Sequence, residues 1–79
     1  EPLVKLASFL AKTGEVNKVI DIANSVLVLE PENATAFSLL GISYERKGLK
    51  EEAIEYYKTA LKLNPEWEPL IEKIKGLEK

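Results

Sequence analysis

The chain has 79 residues, of which 46% are hydrophobic and 30% are charged, so it is one small globular domain rather than a disordered segment. Thirteen acidic and eleven basic residues are interspersed and give a net charge of −2, which argues against nucleic acid as a partner because no basic face forms. Cysteine and histidine are both absent, which excludes disulfides, thiol chemistry and the commonest general base.

No segment of the sequence suggests a membrane or a secretory route. The longest unbroken apolar run, Val26 to Leu29, is far too short to cross a bilayer, and no signal-peptide pattern is present. We expect no membrane insertion and a cytoplasmic location, although the lack of cysteine does not fix the compartment. Because the sequence begins at Glu1 inside a helical pattern, we also expect it to be a fragment or a processed form.

Two helices are predicted over the first thirty residues. The first runs from about Pro2 to Thr13, because proline suits the first turn of a helix, where its missing N–H costs nothing. The second runs from about Val16 to Leu29 and is unusually apolar. Its residues Ile22 and Val28 widen the apolar stripe beyond what a surface helix needs, which makes this helix a candidate for self-association.

The segment 34–65 predicts a helix, a short turn and an antiparallel helix. The first helix covers about Ala34 to Lys47 and ends at Gly48, which adopts the left-handed cap conformation at low cost. The second covers about Lys50 to Leu63, with acidic residues in its first turn and Pro65 after its end. Small residues in both helices allow a close approach beside aromatic rings. These small residues are Gly41, Ala53 and Ala60.

A fifth helix is predicted from Pro69, with Ile71 and Ile74 on its apolar stripe. Its outer side is polar, as a terminal capping helix requires. Trp67 stands at the turn before it, and we expect its ring to cover the joint between the fourth and fifth helices. Gly76 weakens the last turn, so this helix is expected to fray beyond Ile74.

Two other patterns are ambiguous. The tyrosines of the central segment resemble a stacking platform for a ligand, but packing explains Tyr44 and Tyr57 better and leaves Tyr56 open. The tripeptide Asn33-Ala34-Thr35 matches the glycosylation acceptor pattern. Without a secretory signal, we interpret it as a turn and a helix start.

The spacing Phe37-x-x-Leu40-Gly41-x-x-Tyr44, followed by Gly48, Ala53, Tyr57, Ala60 and Pro65, resembles one complete tetratricopeptide repeat. A shift of 34 residues, the period of that family, places residues of similar type in register from Leu3 to Pro31. The resemblance implies an all-α fold in which antiparallel helix pairs stack as an α-solenoid. It divides the single domain over 1–79 into a degenerate first repeat (1–33), a second repeat (34–67) and a C-terminal capping helix (68–79).

In this family the first helix of each pair lines a concave side, so the resemblance implies a partner-binding groove. Its predicted residues are Val4, Ser8, Ala11, Lys12, Thr35, Ser38, Leu39, Ile42, Glu45 and Arg46, with Glu72 from the fifth helix. Family members that bind chaperone tails use a clamp of Lys, Asn and Arg. That clamp is missing here, because the corresponding places hold Val4, Ser8 and Leu39.

The groove is expected to be mostly small and apolar, with Val4, Leu39 and Ile42 forming a strip open to water. Such a strip usually marks a partner site. The alternative is that an upstream repeat or simple packing covers part of it.

The sequence predicts no catalytic residue, metal site or cofactor, and we expect no enzyme activity. The carboxylates near Lys50 and Lys58 fit a solvated helix face with stabilising pairs, and the glycines are isolated, so no phosphate loop forms. The favoured function is a protein–protein interaction module whose groove takes a peptide or helix of a partner protein. The alternative is a structural domain that forms homo-oligomers through exposed apolar helix surface.

Overall fold

The computed structural model describes residues 15–78, and within them the chain folds into four α-helices and no β-strand. The helices are α1 (Val16–Leu29), α2 (Ala34–Arg46), α3 (Lys50–Leu63) and α4 (Glu68–Leu77). Consecutive helices are joined by turns of three or four residues and pack against each other, so they run antiparallel. The predicted all-α architecture of stacked antiparallel helices is confirmed.

Two core clusters hold these helices together. The first core cluster joins α1 to α2 and consists of Val19, Ala23, Val26, Ala36, Leu39 and Leu40. The second core cluster joins α3 to α4 and consists of Ala53, Tyr57, Ala60, Leu70 and Ile74. Three half-buried side chains of α2 pack against both clusters and make them continuous. These are Phe37, Ile42 and Tyr44.

The small residues predicted at the α2–α3 contact lie where they were expected. Gly41, Ala53 and Ala60 are all buried, and the Tyr57 side chain beside them is 1% exposed. The rings of Tyr44 and Tyr56 stack with centroids 5.2 Å apart and an interplanar angle of 12°. Both rings also pack against the first core cluster, so they are part of the packed interior. This agrees with the interpretation of Tyr44 as a packing residue and extends it to Tyr56.

Local hydrogen bonds fix both ends of α2. The side chain of Asn33 accepts a hydrogen bond from the backbone N–H of Ala36 at 3.0 Å, so the asparagine is the N-cap of α2, in agreement with the interpretation of the tripeptide that begins at Asn33 as a helix start. At the other end Gly48 has φ 83°, and the N–H groups of Gly48 and Leu49 donate to the carbonyls of Glu45 and Tyr44. This pair of bonds is a Schellman motif, which needs a residue in the left-handed conformation.

The sequence predicted the bounds of α1 and α3 as they are observed, and α2 ends one residue early, at Arg46. Helix α4 begins at Glu68 and continues to Leu77, so the expected fraying beyond Ile74 is wrong. The Leu77 side chain packs against the second core cluster, and Lys58 Nζ lies 2.9 Å from Glu78 Oε2. The packing of Leu77 and the ion pair with Lys58 of α3 hold the last turn despite its glycine.

Two further expectations concern the first predicted helix and membrane insertion. The helix predicted over 2–13 lies outside the described residues. None of the four described helices is long and apolar enough to cross a membrane.

Candidate functional site

A groove with a volume of about 590 Å³ lies between α2 and α4, with α3 beneath it. We call it the α2–α4 groove. It is lined by Ser38, Ile42, Glu45, Arg46, Tyr57, Trp67, Pro69, Leu70 and Lys73.

Helix geometry explains why the four α2 residues share this groove. Ser38, Ile42, Glu45 and Arg46 follow one another at i, i+4, i+7 and i+8, which places them on one face of α2. The opposite wall is the first half of α4 together with Trp67, the residue immediately before that helix. The short turn after α3 places this wall across the groove from α2.

The walls of the groove are largely apolar. Ile42 is half-buried and packs against both core clusters, which holds its side chain in place. Trp67 is also half-buried and packs against the second core cluster, which includes Leu70. The expectation that Trp67 covers the joint between the last two helices is confirmed, and its ring also lines the groove.

One carboxylate oxygen connects the three helices at the floor of the groove. Glu45 Oε1 on α2 accepts a hydrogen bond from Tyr57 Oη on α3 at 2.8 Å. The same oxygen lies 3.1 Å from Lys73 Nζ on α4. The tyrosine hydroxyl is buried, so leaving it without a hydrogen bond would be costly. The hydrogen bond from Tyr57 to Glu45 and the ion pair between Glu45 and Lys73 therefore fix the relative positions of α2, α3 and α4.

This arrangement keeps the tyrosine neutral. Burial raises the pKa of Tyr57 well above its ordinary value, and the hydrogen bond to the Glu45 carboxylate raises it further. The positive charge of Arg46 acts in the opposite direction and has the smallest effect of these causes on the pKa of Tyr57. Tyr57 is therefore a structural hydrogen-bond donor at neutral pH.

The predicted groove residues on α2 divide into two groups. Ser38, Ile42, Glu45 and Arg46 line the α2–α4 groove. Thr35 is half-buried outside that lining, and its carbonyl accepts a hydrogen bond from Ser38 Oγ at 2.8 Å. Val4, Ser8, Ala11 and Lys12 lie outside the described residues, while Glu72 is exposed and does not line the groove.

The expectation that Leu39 contributes to an apolar strip open to water is wrong. Its side chain is 3% exposed and belongs to the first core cluster. The next residue of a helix lies about 100° around the axis, so Leu39 faces α1 whereas Ser38 faces the groove. The adjacent helix therefore covers the leucine that the family pattern assigned to the concave side.

The contribution of α3 to the groove was not predicted from the sequence, and the residue predicted from α4, Glu72, is not one of those that line it. Tyr57 was expected to be only a core residue, and Pro69, Leu70 and Lys73 were not assigned to the site. One signal for Leu70 was present, since it lies 34 residues after the buried Ala36 and four before Ile74. Nothing in the local pattern distinguishes Lys73 from the other lysines.

The site offers binding surface rather than reactive groups. Among residues 15–78, no group of His, Cys, Asp or Glu side chains is arranged to hold a metal ion. The titratable groups of the groove floor are bound to each other through the Glu45 carboxylate.

The comparison with protein families agrees with this geometry. Residues 34–66, which span α2, α3 and the turn that follows, match the family model of the tetratricopeptide repeat. Over these residues the chain is similar to a tetratricopeptide repeat. Tetratricopeptide repeats are generally protein–protein interaction modules and typically non-enzymatic scaffolds, so a protein partner is indicated. A comparison with curated proteins finds no match to this chain.

Proposed function

We propose that this chain is a protein-interaction module in which the α2–α4 groove binds an extended segment or a helix of a partner protein. The observation that carries the proposal is the groove itself, where apolar side chains from α2 and α4 face each other beside charged ones. A groove lined in this way on a tetratricopeptide repeat supports peptide binding, because concave apolar surfaces with a few polar groups are typical ligand sites.

The apolar walls supply the main attraction. Ile42, Trp67 and Leu70 provide side chains from both walls, and a volume of about 590 Å³ accommodates a few residues of a partner. Burial of one large aliphatic or aromatic side chain stabilises a complex by about 1.5–3 kcal/mol. One or two such anchors give a modest affinity, which suits a reversible interaction.

The charged residues at the edge of the groove set the orientation of the partner. Arg46 is exposed and forms no ion pair within residues 15–78, so it is available to a polar group that approaches from solvent, whereas Lys73 is paired with Glu45. Charges at the edge of an interface contribute more to orientation and association rate than to affinity. Lys12, which the sequence analysis placed at the same edge, lies outside the described residues.

An unbiased peptide selection against the folded chain tests this function. Selected peptides are expected to bind the wild type and to lose about tenfold in affinity for Ile42→Ala, because an apolar contact is truncated. Ile54→Ala is the matched control, since Ile54 is also half-buried but lies outside the groove. Circular dichroism of both variants separates lost binding from lost folding.

The proposal fails if selection yields no binder, or if folded Ile42→Ala and Ile54→Ala bind the selected peptides as tightly as the wild type. A large loss for the Ile54 variant alone would place the site on another face of the repeat.

A second candidate function, self-association, is favoured by the end of α1. Val28 is 80% exposed and Leu29 is 75% exposed, which is unusual for adjacent apolar residues. Ile22, which was expected to belong to the same surface, is half-buried and packs against the first core cluster. The apolar surface available to a second copy is therefore smaller than the sequence suggested.

Light scattering on a sizing column tests self-association. If this surface joins two copies, the mass should rise above 8.8 kDa with concentration and return to that value in Val28→Lys. A constant monomer mass, or an oligomer that persists in Val28→Lys, would exclude this surface as the contact.

A further inference from the structure

We propose that the α2–α4 groove selects partner segments in which an acidic side chain lies two residues from a large apolar one, and that Arg46 binds the acidic group. This inference rests on the proposed function, because it specifies the chemistry of the segment that the groove takes.

The charge of the groove differs from the charge of the whole chain. Two cations, Arg46 and Lys73, and one carboxylate, Glu45, line the groove, which leaves one net positive charge. The complete chain carries a net charge of −2. A positive groove in an acidic chain favours an acidic segment and disfavours a basic one.

The positive charge resides mainly on Arg46. Lys73 Nζ lies 3.1 Å from Glu45 Oε1, so these two groups neutralise each other. Within residues 15–78, Arg46 forms no ion pair, and its residue is exposed to solvent. Its guanidinium is therefore the charge that a ligand meets without breaking an existing pair.

The apolar and charged parts of the groove are close together. Ile42 and Arg46 are separated by one helical turn, which places their Cβ atoms about 5–6 Å apart. In an extended segment, residues i and i+2 face the same way and lie about 6.5–7 Å apart. A partner side chain packed on Ile42 thus brings a carboxylate two residues away within reach of Arg46.

The hydrogen-bond donors of the groove favour an acidic side chain over a chain terminus. Ser38 Oγ already donates to the carbonyl of Thr35, and Tyr57 Oη donates to Glu45. A terminal carboxylate is usually held by several converging donors, whereas the planar fork of one arginine matches one side-chain carboxylate.

Matched peptide pools test this inference. Each pool contains acetylated and amidated hexapeptides with a fixed Leu-x-Asp, Leu-x-Lys or Ala-x-Asp core and randomised flanks. Amidation removes the terminal carboxylate, so any acidic preference comes from side chains. We expect the Leu-x-Asp pool to bind about tenfold more tightly than either other pool, with a preference that weakens at high salt.

Substitutions at the arginine assign the preference to this residue. Arg46→Gln should remove most of the advantage of Leu-x-Asp over Leu-x-Lys, and Arg46→Glu should reverse it. Lys62→Gln is the matched control, because Lys62 is an exposed cation of α3 outside the groove and its loss should leave the preference unchanged. Circular dichroism checks that each variant is folded.

Equal binding of the Leu-x-Asp and Leu-x-Lys pools, or a preference that survives in folded Arg46→Gln, would overturn the inference and leave the proposed function standing. Failure of every pool to bind the wild type would also overturn it. The unbiased selection then decides separately whether the groove binds peptides at all.

Discussion

The ring of Tyr57 packs directly on the backbone of Gly41, so that a Cβ atom at position 41 would lie 2.7 Å from both Cδ1 and Cε1 of the ring. Such a distance is essentially never tolerated, and the buried ring has little space to move. Because Tyr57 also forms the floor of the α2–α4 groove, the contact that joins α2 to α3 sets the depth of the site.

Gly41→Ala should therefore destabilise the chain. Alanine improves helix propensity by up to about 1 kcal/mol, but overpacking against the ring costs about 1–3 kcal/mol, so we expect a net loss of about 1–2 kcal/mol. Gly76→Ala is the matched control, since it lies in α4 with open space around its position and should be stabilising by about 0.5–1 kcal/mol. Chemical denaturation measures the change in the free energy of unfolding of each variant. Equal changes in the two variants would contradict the role of the Gly41–Tyr57 contact.

Tyr57→Phe should lower the free energy of unfolding by about 0.5–1.5 kcal/mol, because the hydrogen bond to Glu45 is lost. The carboxylate keeps its ion pair with Lys73, so the penalty of an unpaired charge is avoided. Urea denaturation at neutral pH measures the change. An unchanged or increased stability would show that this hydrogen bond does not stabilise the fold.

The same tyrosine predicts a loss of stability in alkali. Burial and then the Glu45 hydrogen bond raise the pKa of Tyr57 in the folded state above the value of about 10 in the unfolded state. Its stabilising effect is complete below pH 10 and declines as pH rises, because the unfolded tyrosine releases its proton first. The difference in stability between wild type and Tyr57→Phe should therefore shrink above about pH 10. A difference that stays constant across this range would contradict the raised pKa.

Gly48→Ala should destabilise the end of α2 through backbone strain and not through a steric clash. No atom lies within 4 Å of a Cβ built at this position, but φ is 83°, and the left-handed conformation costs a non-glycine residue about 1–2 kcal/mol. Thermal unfolding should show a decrease of several degrees in Tm. An unchanged Tm would mean that the Schellman motif at this turn tolerates a side chain.

Leu39→Ala separates the core from the site. Leu39 is buried in the first core cluster, so its truncation should cost about 2–5 kcal/mol of stability. The folded fraction should still bind peptides selected by the wild type, because the α2–α4 groove does not include this side chain. If a well-folded Leu39→Ala variant no longer binds the peptides, Leu39 belongs to the binding surface after all.

Most of the fold could be predicted because its signals are local or periodic. Gly48 and Asn33 mark the ends of α2, and the spacing of small residues around Tyr57 determines how α2 and α3 pack. The helical end of α4 could not be predicted, because the low helix propensity of Gly76 is overridden by the packing of Leu77 on the second core cluster and by the ion pair of Glu78 with Lys58. Such contacts depend on tertiary geometry rather than on sequence spacing.

The site could be predicted only in part. Ser38, Ile42, Glu45 and Arg46 follow from the face of α2 that the family pattern assigns to the concave side. Leu39 was wrongly included because the pattern does not show which neighbouring helix covers a residue. Lys73 was missed because its role depends on the carboxylate of Glu45, which approaches it across the groove from another helix.

Amide chemical-shift mapping with a selected peptide tests the central claim most directly. If the α2–α4 groove is the binding site, the largest shifts should occur at the amides of groove residues on both walls. Those amides belong to Ser38, Ile42, Arg46, Leu70 and Lys73. Shifts concentrated at the exposed Val28 and Leu29 on α1, with the groove amides unchanged, would contradict the groove as the binding site and place the partner at the end of α1.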